Sequence, residues 1–185
     1  MQSILIVGAG FAGMYAALSA ARLRHEQAIS ADTLDIAVVA PEPRLVIRPR
    51  LYERAPETMV APLAELFDAV DVRYEKGLVD VIDSAAKSAA IVGRDGMRRS
   101  LGYDRLVLAA GSQGAKPDIP GLAKYGLSVD QLDDAIALDH HLNGLAKRPS
   151  SAARDTVVVA GGGFTGIEVA TEMPSRRRWV PIRVR

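Results

Sequence analysis

Residues 4–14, ILIVGAGFAGM, decide the fold of this chain. An apolar run of strand length leads directly into three glycines spaced G-x-G-x-x-G, and a small, apolar, helix-forming stretch follows through Ala21. This order predicts a strand, a tight turn and a helix. Because the glycines follow a strand directly, the motif indicates a site for a dinucleotide.

Each glycine of this motif has its own physical role. Gly8 permits the tight turn, Gly10 lets a pyrophosphate approach the backbone because it lacks a Cβ, and Gly13 lets the helix lie against the strand. The helix is expected to open at Phe11 and Ala12, so that its free N–H groups and its positive dipole end face the phosphates. We therefore interpret these five residues as cofactor-binding.

Composition narrows the class of protein. The chain has 185 residues, of which 49% are hydrophobic, enough for one large α/β domain or for one domain and part of a second. The net charge of +1 argues against nucleic-acid binding. The absence of cysteine excludes a disulfide framework, a Cys-ligated zinc site and a Cys nucleophile, and it agrees with a cytoplasmic protein.

The uncharged N-terminus is predicted to be neither a signal peptide nor a membrane span. Residues 1–21 lack the basic start of a secretory signal, and the three glycines are atypical of a span.

The end of the second predicted strand is a candidate ribose site. Residues 34–40 continue the β-α-β order, which predicts a right-handed crossover and a doubly wound parallel sheet. In dinucleotide-binding folds an acid at the end of this strand accepts hydrogen bonds from a ribose hydroxyl. Ala40 occupies that position and has no carboxylate. Glu42 is the nearest substitute, and a solvated loop glutamate is an equally good interpretation.

The remainder of the first half predicts a mixed architecture. Residues 61–69 read as a short helix with Pro62 in its first turn. A strand at 70–74 and an antiparallel ribbon follow, with a hairpin turn at Asp95-Gly96. Residues 103–112 read as a buried strand that returns to the parallel sheet and ends on Gly111-Ser112.

Residues 44–53 mix arginines with apolar residues, and two interpretations remain open. One is an ordinary surface loop with scattered cations. The other is a segment that crosses the mouth of a cofactor site, where a cation stabilises a phosphate or a reduced, anionic ring.

Further along, residues 130–145 predict a helix that carries His140 and His141. Adjacent residues point about 100° apart on a helix, so these two side chains do not form a metal-binding pair. We predict no metal site in this chain. Residues 147–155 read as a polar linker.

The opening motif occurs a second time. Residues 156–170, TVVVAGGGFTGIEVA, place Gly161, Gly163 and Gly166 at the same spacing, again between an apolar run and a helical stretch. Two such sites in one chain indicate two different dinucleotides and electron transfer between them.

Four stretches together make this chain resemble the two-dinucleotide-binding-domain flavoproteins, which are pyridine-nucleotide-dependent FAD oxidoreductases: residues 8–13, 103–112, 119–121 and 161–168. Within that family it is most similar to the branch without a redox-active dithiol, the type II NADH dehydrogenases. The resemblance implies a Rossmann-like FAD-binding domain with an inserted antiparallel β ribbon, followed by the start of a second, NAD(P)-binding Rossmann unit.

The resemblance also implies roles for individual residues. FAD is held by residues 1 to about 120, with Ala110 and Gly111 at the cofactor and Arg48, in the segment 48–53, near the flavin ring. NAD(P)H binds at the second glycine motif, hydride passes from the nicotinamide to the flavin, and an acceptor such as a quinone takes the electrons. Glu168 then lies beside the nicotinamide as a catalytic residue. The alternative for Glu168 is an exposed acid in the first helical turn.

The C-terminal residues depart from the family pattern. The second helix is expected to stop at Pro174, and residues 174–185 are rich in arginine and contain no acid. We expect either a truncation or change of reading frame near Met173, or a native basic tail that contacts acidic partners or anionic lipid. The predicted division is an FAD-binding domain (1–122), a connecting helix and linker (123–155), an incomplete NAD(P)-binding domain (156–173) and the basic tail.

Such a chain is expected to bind FAD weakly and to turn over little. The competing hypothesis is a non-catalytic nucleotide-binding or interaction fragment that needs a partner chain. Separately, a homo-oligomer is among the expected partners. The chain is expected to be cytoplasmic, and a full-length form is expected to be peripheral to the membrane.

Overall fold

The computed structural model describes residues 1–115, 117–176 and 183–184. The chain divides into two compact units, unit 1 (Met1–Leu45 and Ala61–Ser112) and unit 2 (Val46–Val60 and Gln113–Arg185). The strands are β1 (Gln2–Val7), β2 (Leu34–Ala40), β3 (Arg44–Val46), β4 (Val60–Pro62), β5 (Arg73–Lys76), β6 (Leu78–Asp83), β7 (Ser88–Val92), β8 (Arg98–Gly102), β9 (Arg105–Leu108), β10 (Thr156–Val157) and β11 (Arg183–Val184). The helices are α1 (Phe11–Glu26), α2 (Ala64–Asp68), α3 (Leu122–Tyr125), α4 (Leu132–Leu145) and α5 (Phe164–Arg176), with short 3-10 turns at Arg48–Arg50 and Pro56–Thr58.

Unit 1 is built on a parallel sheet with the strand order β5-β2-β1-β9. The chain runs from β1 to β2 on one side and returns as β9 on the other, so β1 lies where the strand order reverses. In open α/β sheets this reversal marks the place where ligands bind, at the carboxyl ends of the strands. The prediction of a Rossmann-like α/β fold is confirmed.

Alternate residues of β1 and β2 pack into two different hydrophobic cores, one on each face of the sheet. Ile6 and Val38 pack with Ala17 of α1 on one face of the sheet. Leu5 and Val39 pack on the other face with residues of β7. Because both faces are covered, residues 4–7 of β1 and 36–40 of β2 are continuously apolar rather than alternating.

The second face is covered by an antiparallel ribbon, β6-β7-β8, as predicted. Ala89 and Ile91 of β7 are fully buried against the sheet. Gly96 adopts a positive φ of 75° in the turn between β7 and β8, which an L-residue with a side chain adopts only with strain.

Two expectations for unit 1 are wrong. Pro62 belongs to strand β4, which pairs with β3, and helix α2 begins only at Ala64. The physical reason is that a residue before proline is pushed towards extended backbone, which suits a strand better than a helix. The strand predicted as buried is β9, which lies at the edge of the sheet and leaves Leu108 67% exposed.

The described residues of unit 2 form two small apolar cores. Leu51 and Met59 pack with the start of α4, at Leu132 and Ala135. The other core joins the end of α4 to Met173 of α5.

The expected helix end at Pro174 is wrong, because α5 continues to Arg176. Pro174 lies in the last turn, where its missing N–H removes one bond near the helix end. Arg176 anchors that turn by donating to the carboxylate of Asp139 and to the carbonyl of Tyr52. After α5, Arg183–Val184 pairs in parallel with Thr156–Val157. The rest of the predicted basic tail, residues 177–182 and 185, lies outside the described residues.

Within the described ranges, no helix has the length and apolar character needed to cross a bilayer. The same residues contain no group of three or more His, Cys, Asp or Glu side chains arranged to hold a metal ion.

Candidate dinucleotide sites

The first glycine turn is closed by backbone contacts at the carboxyl end of β1. The Gly8 N–H donates to the carbonyl oxygen of Val39 at 2.8 Å, and the Ala109 N–H donates to that of Val7 at 2.8 Å. Gly8 has a φ of 108°, and a Cβ added there would overlap the carbonyl oxygen of Ala109. A side chain at this position is therefore excluded both by conformation and by space.

Gly13 is restricted in a different way. A Cβ added at this residue would overlap the carbonyl oxygen of Gly8. The first turn of α1 consequently packs directly on the turn that follows β1. This contact brings the N-terminus of the helix to the carboxyl edge of the sheet.

Gly10 has open space around it. A Cβ built on it would meet no heavy atom of the described chain within 4 Å, and its φ of −71° suits any residue. Gly10 is the N-cap of α1, and no described side chain caps this helix. Phe11 and Ala12, which open the helix, are exposed. The site is thus an open cradle beside uncapped N–H groups, which fits a pyrophosphate.

Ala110 and Gly111 lie beside this cradle. They follow β9, which pairs with β1, and the Cα of Ala110 lies 3.2 Å from the Cβ position of Gly8. Gly111 has a φ of 75°, and the described chain places nothing within 4 Å of its Cβ position. The structure therefore brings the predicted residues from β1, α1 and β9 to one edge of the sheet.

Glu42 follows β2 at the same edge, and its carboxylate is engaged by two cations. Oε2 lies 3.1 Å from Nε of Arg44, and Oε1 accepts from Nη2 of Arg94 at 2.7 Å. The neighbouring hydroxyl of Tyr74 donates to the carbonyl of Ala40 at 2.7 Å. Burial raises the pKa of Tyr74, the Glu42 carboxylate raises it further, and Arg94 opposes both. Glu42 is therefore a fixed carboxylate and not a freely solvated one.

Arg48 belongs to unit 2, where it is paired with Asp130. Its Nε donates to the Asp130 carbonyl at 3.1 Å, and its Nη2 lies 2.5 Å from Oδ1. The other carboxylate oxygen accepts from the Gly114 N–H at 2.9 Å. Hydrogen bonds from Gly114, Gln131 and Arg48, in that order, hold the pKa of Asp130 below its usual range. The charge of Arg48 is thus balanced by a carboxylate.

The interpretation of residues 44–53 as an ordinary surface loop is incomplete. Leu51 is buried in a core of unit 2. Arg50 forms two hydrogen bonds of 2.6 Å with the carboxylate of Glu53, which lower the pKa of Glu53. The segment is thus anchored by packing and by ion pairs.

The second glycine turn repeats part of the geometry of the first, although nothing in the described chain packs on a Cβ position at Gly161. Gly161 has a φ of 124°, and a Cβ added at Gly166 would overlap the Gly161 carbonyl oxygen. Nothing in the described part of the chain lies within 4 Å of a Cβ at Gly163, the counterpart of Gly10. The adjacent strand β10 has only two residues, and Phe164 is 90% exposed.

A cavity of about 1100 Å³ adjoins this second turn in unit 2. Apolar side chains of α4 and α5 form much of its wall, together with backbone of the glycine turn; they include Leu138, Leu142, Val169, Met173, Gly161 and Gly163. Glu168 is exposed on α5 and follows the first helical turn, so its description as a first-turn acid is wrong.

Three residues of these sites were not identified from the sequence: Ala109, Arg94 and Asp130. Ala109, which follows β9 far along the chain, closes the Gly8 turn. Arg94 and Asp130 each pair with a partner at large separation, 52 residues to Glu42 and 82 residues to Arg48. A local sequence pattern does not encode pairings over such separations, so these residues were not identified from the sequence.

Fold and turns define a chain of the dinucleotide-binding α/β class. A family model described as pyridine nucleotide-disulphide oxidoreductase matches residues 2–182. The chain belongs to this family, whose members are FAD-dependent oxidoreductases. The family prediction is confirmed.

Several relatives are recognisable along nearly the whole chain. It is 42% identical over 176 residues to an NADH dehydrogenase-like protein of Mycobacterium tuberculosis, covering 95% of this chain and 43% of the relative. It is 32% identical over 178 residues to the demethylphylloquinone reductase of Synechocystis sp., covering 94% and 43%. The chain thus spans less than half the length of these relatives.

Among solved structures, NDH2 from Plasmodium falciparum in complex with NADH matches with a TM-score of 0.77. The sequences are 22% identical, and the match covers 95% of this chain and 37% of that one. At this identity the likeness supports the fold alone.

Proposed function

We propose that this chain is the FAD-binding part of an NAD(P)H oxidoreductase that passes electrons to an acceptor such as a quinone. The observation that carries the proposal is the open cradle at Gly10. Gly8 and Gly13 are held by close backbone packing, whereas the position between them is left open beside an uncapped helix N-terminus. This is the arrangement that a pyrophosphate requires.

In this proposal Gly8, Gly10, Phe11, Ala12 and Gly13 hold the pyrophosphate through backbone N–H groups and the dipole of α1. Glu42 accepts from the adenosine ribose, and Ala110 and Gly111 line the cofactor. Arg48 is assigned to the flavin end from the family resemblance. Bound FAD supplies the redox chemistry by accepting a hydride equivalent from a reduced nicotinamide nucleotide and passing the electrons on.

The second turn is proposed as the NAD(P)H site. Gly163 is open and Gly166 is closely packed, as Gly10 and Gly13 are in the first turn, and Gly161 shares the positive φ of Gly8. Glu168 is proposed to lie beside the nicotinamide. The name of the Synechocystis relative supports a quinone as acceptor. Such an activity fits a cytoplasmic protein at the membrane surface.

The test is a pair of matched substitutions, Gly10→Ala and Gly163→Ala. Each adds one methyl group in open space next to a helix start, so both variants are expected to fold, as checked by circular dichroism. FAD binding is followed by quenching of flavin fluorescence. Gly10→Ala should weaken FAD binding about tenfold or more, because the added methyl group occupies the space proposed for the pyrophosphate. Gly163→Ala should leave FAD binding unchanged.

Two results would contradict the proposal. One is the absence of quenching by the unsubstituted chain at micromolar protein, and the other is equal FAD affinity in both variants. NADH added to the flavin-loaded chain should bleach the flavin absorbance, and Gly163→Ala should slow that bleaching.

A second candidate function is a nucleotide-binding or interaction fragment without catalysis. It is favoured by apolar side chains exposed near the second turn, Val158 at 70%, Phe164 at 90% and Ile167 at 56%. A dimer or hetero-complex by light scattering, without bound flavin, would support this candidate over the first.

A further inference from the structure

The carboxylate of Glu42 is held from two directions by side chains that come from different parts of unit 1. Arg44, at the start of β3, approaches Oε2 at 3.1 Å. Arg94, in the turn between β7 and β8, approaches Oε1 at 2.7 Å. Each oxygen therefore has its own guanidinium partner, and the rotation of the carboxylate is restricted.

This clamp, formed by Arg44 and Arg94 around the Glu42 carboxylate, lies close to the first glycine turn. Val39, three residues before Glu42, accepts the N–H of Gly8 at 2.8 Å. The ribbon that carries Arg94 is packed on the sheet, since Ala89 and Ile91 of β7 are buried against it. The ribbon thus presents Arg94 to the end of β2.

We propose that Arg94 is a positioning residue for the adenosine ribose of the bound dinucleotide. It acts through Glu42, by holding that carboxylate in the orientation in which it accepts a ribose hydroxyl. Without Arg94 the side chain of Glu42 regains rotamer freedom, and binding has to order it again. This inference rests on the proposed function, because it needs a dinucleotide at the first turn.

Arg98 provides a matched control. It lies on the same ribbon, its side chain is 67% exposed against 72% for Arg94, and it forms an equivalent ion pair, at 2.5 Å, with Asp80. Arg94→Ala and Arg98→Ala remove the same charge from the same ribbon. A difference in FAD affinity between the two variants is therefore due to the contact of Arg94 with Glu42. It is not due to the long-range attraction of phosphate by net charge, which both variants change equally.

The experiment measures the Kd for FAD in the unsubstituted chain, Arg94→Ala, Arg98→Ala, Glu42→Gln and the double variant Glu42→Gln/Arg94→Ala. Arg94→Ala should raise the Kd about fivefold, the upper range for an exposed ion pair, and Arg98→Ala should leave it unchanged. If Arg94 acts through Glu42, the double variant should bind FAD no more weakly than Glu42→Gln alone. Arg94→Lys should restore part of the affinity.

Three results overturn the inference while leaving FAD binding itself in place. They are an unchanged Kd in Arg94→Ala, an equal loss in Arg98→Ala, and additive losses in the double variant. Failure of the unsubstituted chain to bind FAD overturns the proposed function as well, so the two failures are distinguishable.

Discussion

Gly166 packs on the carbonyl oxygen of Gly161 so closely that a Cβ at Gly166 would overlap it. The same relationship joins Gly13 to Gly8 in the other turn. Each turn therefore needs one glycine for packing, Gly13 or Gly166, and one for a positive φ, Gly8 or Gly161. Each leaves a third glycine open to solvent. Stability and binding are thus separated between different glycines of one motif.

This separation predicts that Gly166→Ala and Gly163→Ala differ in stability. The methyl at residue 166 meets backbone that cannot move aside, so the free energy of unfolding should fall by about 2 kcal/mol. Gly163→Ala should cost about 0.5 kcal/mol, since only the preference at the helix start changes. Urea denaturation of the two variants measures the difference, and equal midpoints would contradict the packing argument.

The C-terminus of α1 offers a stabilising substitution. Ala28 has a φ of 51°, and the Ala28 and Ile29 N–H groups donate to the carbonyls of His25 and Arg24. This is the Schellman arrangement, which favours glycine at the left-handed position. Ala28→Gly should therefore raise the free energy of unfolding by about 1 kcal/mol.

The control for Ala28→Gly is Ser19→Gly, in the middle of the same helix. There the added backbone freedom should lower stability by about 0.5 kcal/mol. Thermal unfolding of both variants tests the sign, and a loss of stability in Ala28→Gly would contradict the prediction.

Arg24 is 6% exposed, and its guanidinium donates to three carbonyl oxygens, those of Leu34, Val70 and Asp71. It therefore ties the end of α1 to the start of β2 and to the segment before β5. Arg24→Met leaves these carbonyls without their donor and should lower the free energy of unfolding by about 3 kcal/mol. Arg22→Met, which removes only an exposed pair with Glu26, should change it by less than about 0.5 kcal/mol. Similar effects of the two substitutions in denaturant titrations would show that the carbonyl contacts contribute little.

The interactions of Asp130 predict that the stability of unit 2 depends on pH. Its pKa is lowered in the folded chain by the Gly114 N–H, the Gln131 amide and Arg48. Because its folded pKa lies below the unfolded value of about 3.9, the Asp130 carboxylate contributes its full stabilisation when the pH is above that unfolded value. The contribution is lost as the pH falls through the folded pKa. At pH 7 the unsubstituted chain should be more stable than Asp130→Asn, and the two should converge below about pH 4.

Urea titrations between pH 7 and pH 3 measure this convergence. Asp118→Asn, at an exposed residue, is the control, and its difference from the unsubstituted chain should be smaller at pH 7. A constant difference for Asp130→Asn over this range would show that the charge of Asp130 is not responsible.

The sequence predicts those parts of the fold that depend on local signals. Strand β2 has the bounds predicted from its apolar run, Leu34–Ala40, because strand length and the following prolines are local properties. The helix after the first glycine motif begins at the predicted Phe11. The hairpin at Asp95-Gly96 follows from the backbone freedom of glycine.

Other features depend on distant parts of the chain and were not predictable. Whether β9 is buried depends on its place at the sheet edge, which its apolar sequence does not encode. The state of Glu42 depends on Arg94, whose position is set by the packing of the ribbon. Sequence therefore indicates candidate site residues, whereas folding decides how those residues are held.

The central strand β1 has one neighbour that is made much later in synthesis. The Ser3 N–H donates to Asp104, 101 residues downstream, and Gly8 is packed by Ala109. On a translating ribosome, more than half of the chain has to emerge before the first glycine turn is closed. Until then the apolar opening strand lacks its neighbour on one side, and the proposed cofactor site is completed by the arrival of β9 and not by the synthesis of the glycine motif itself.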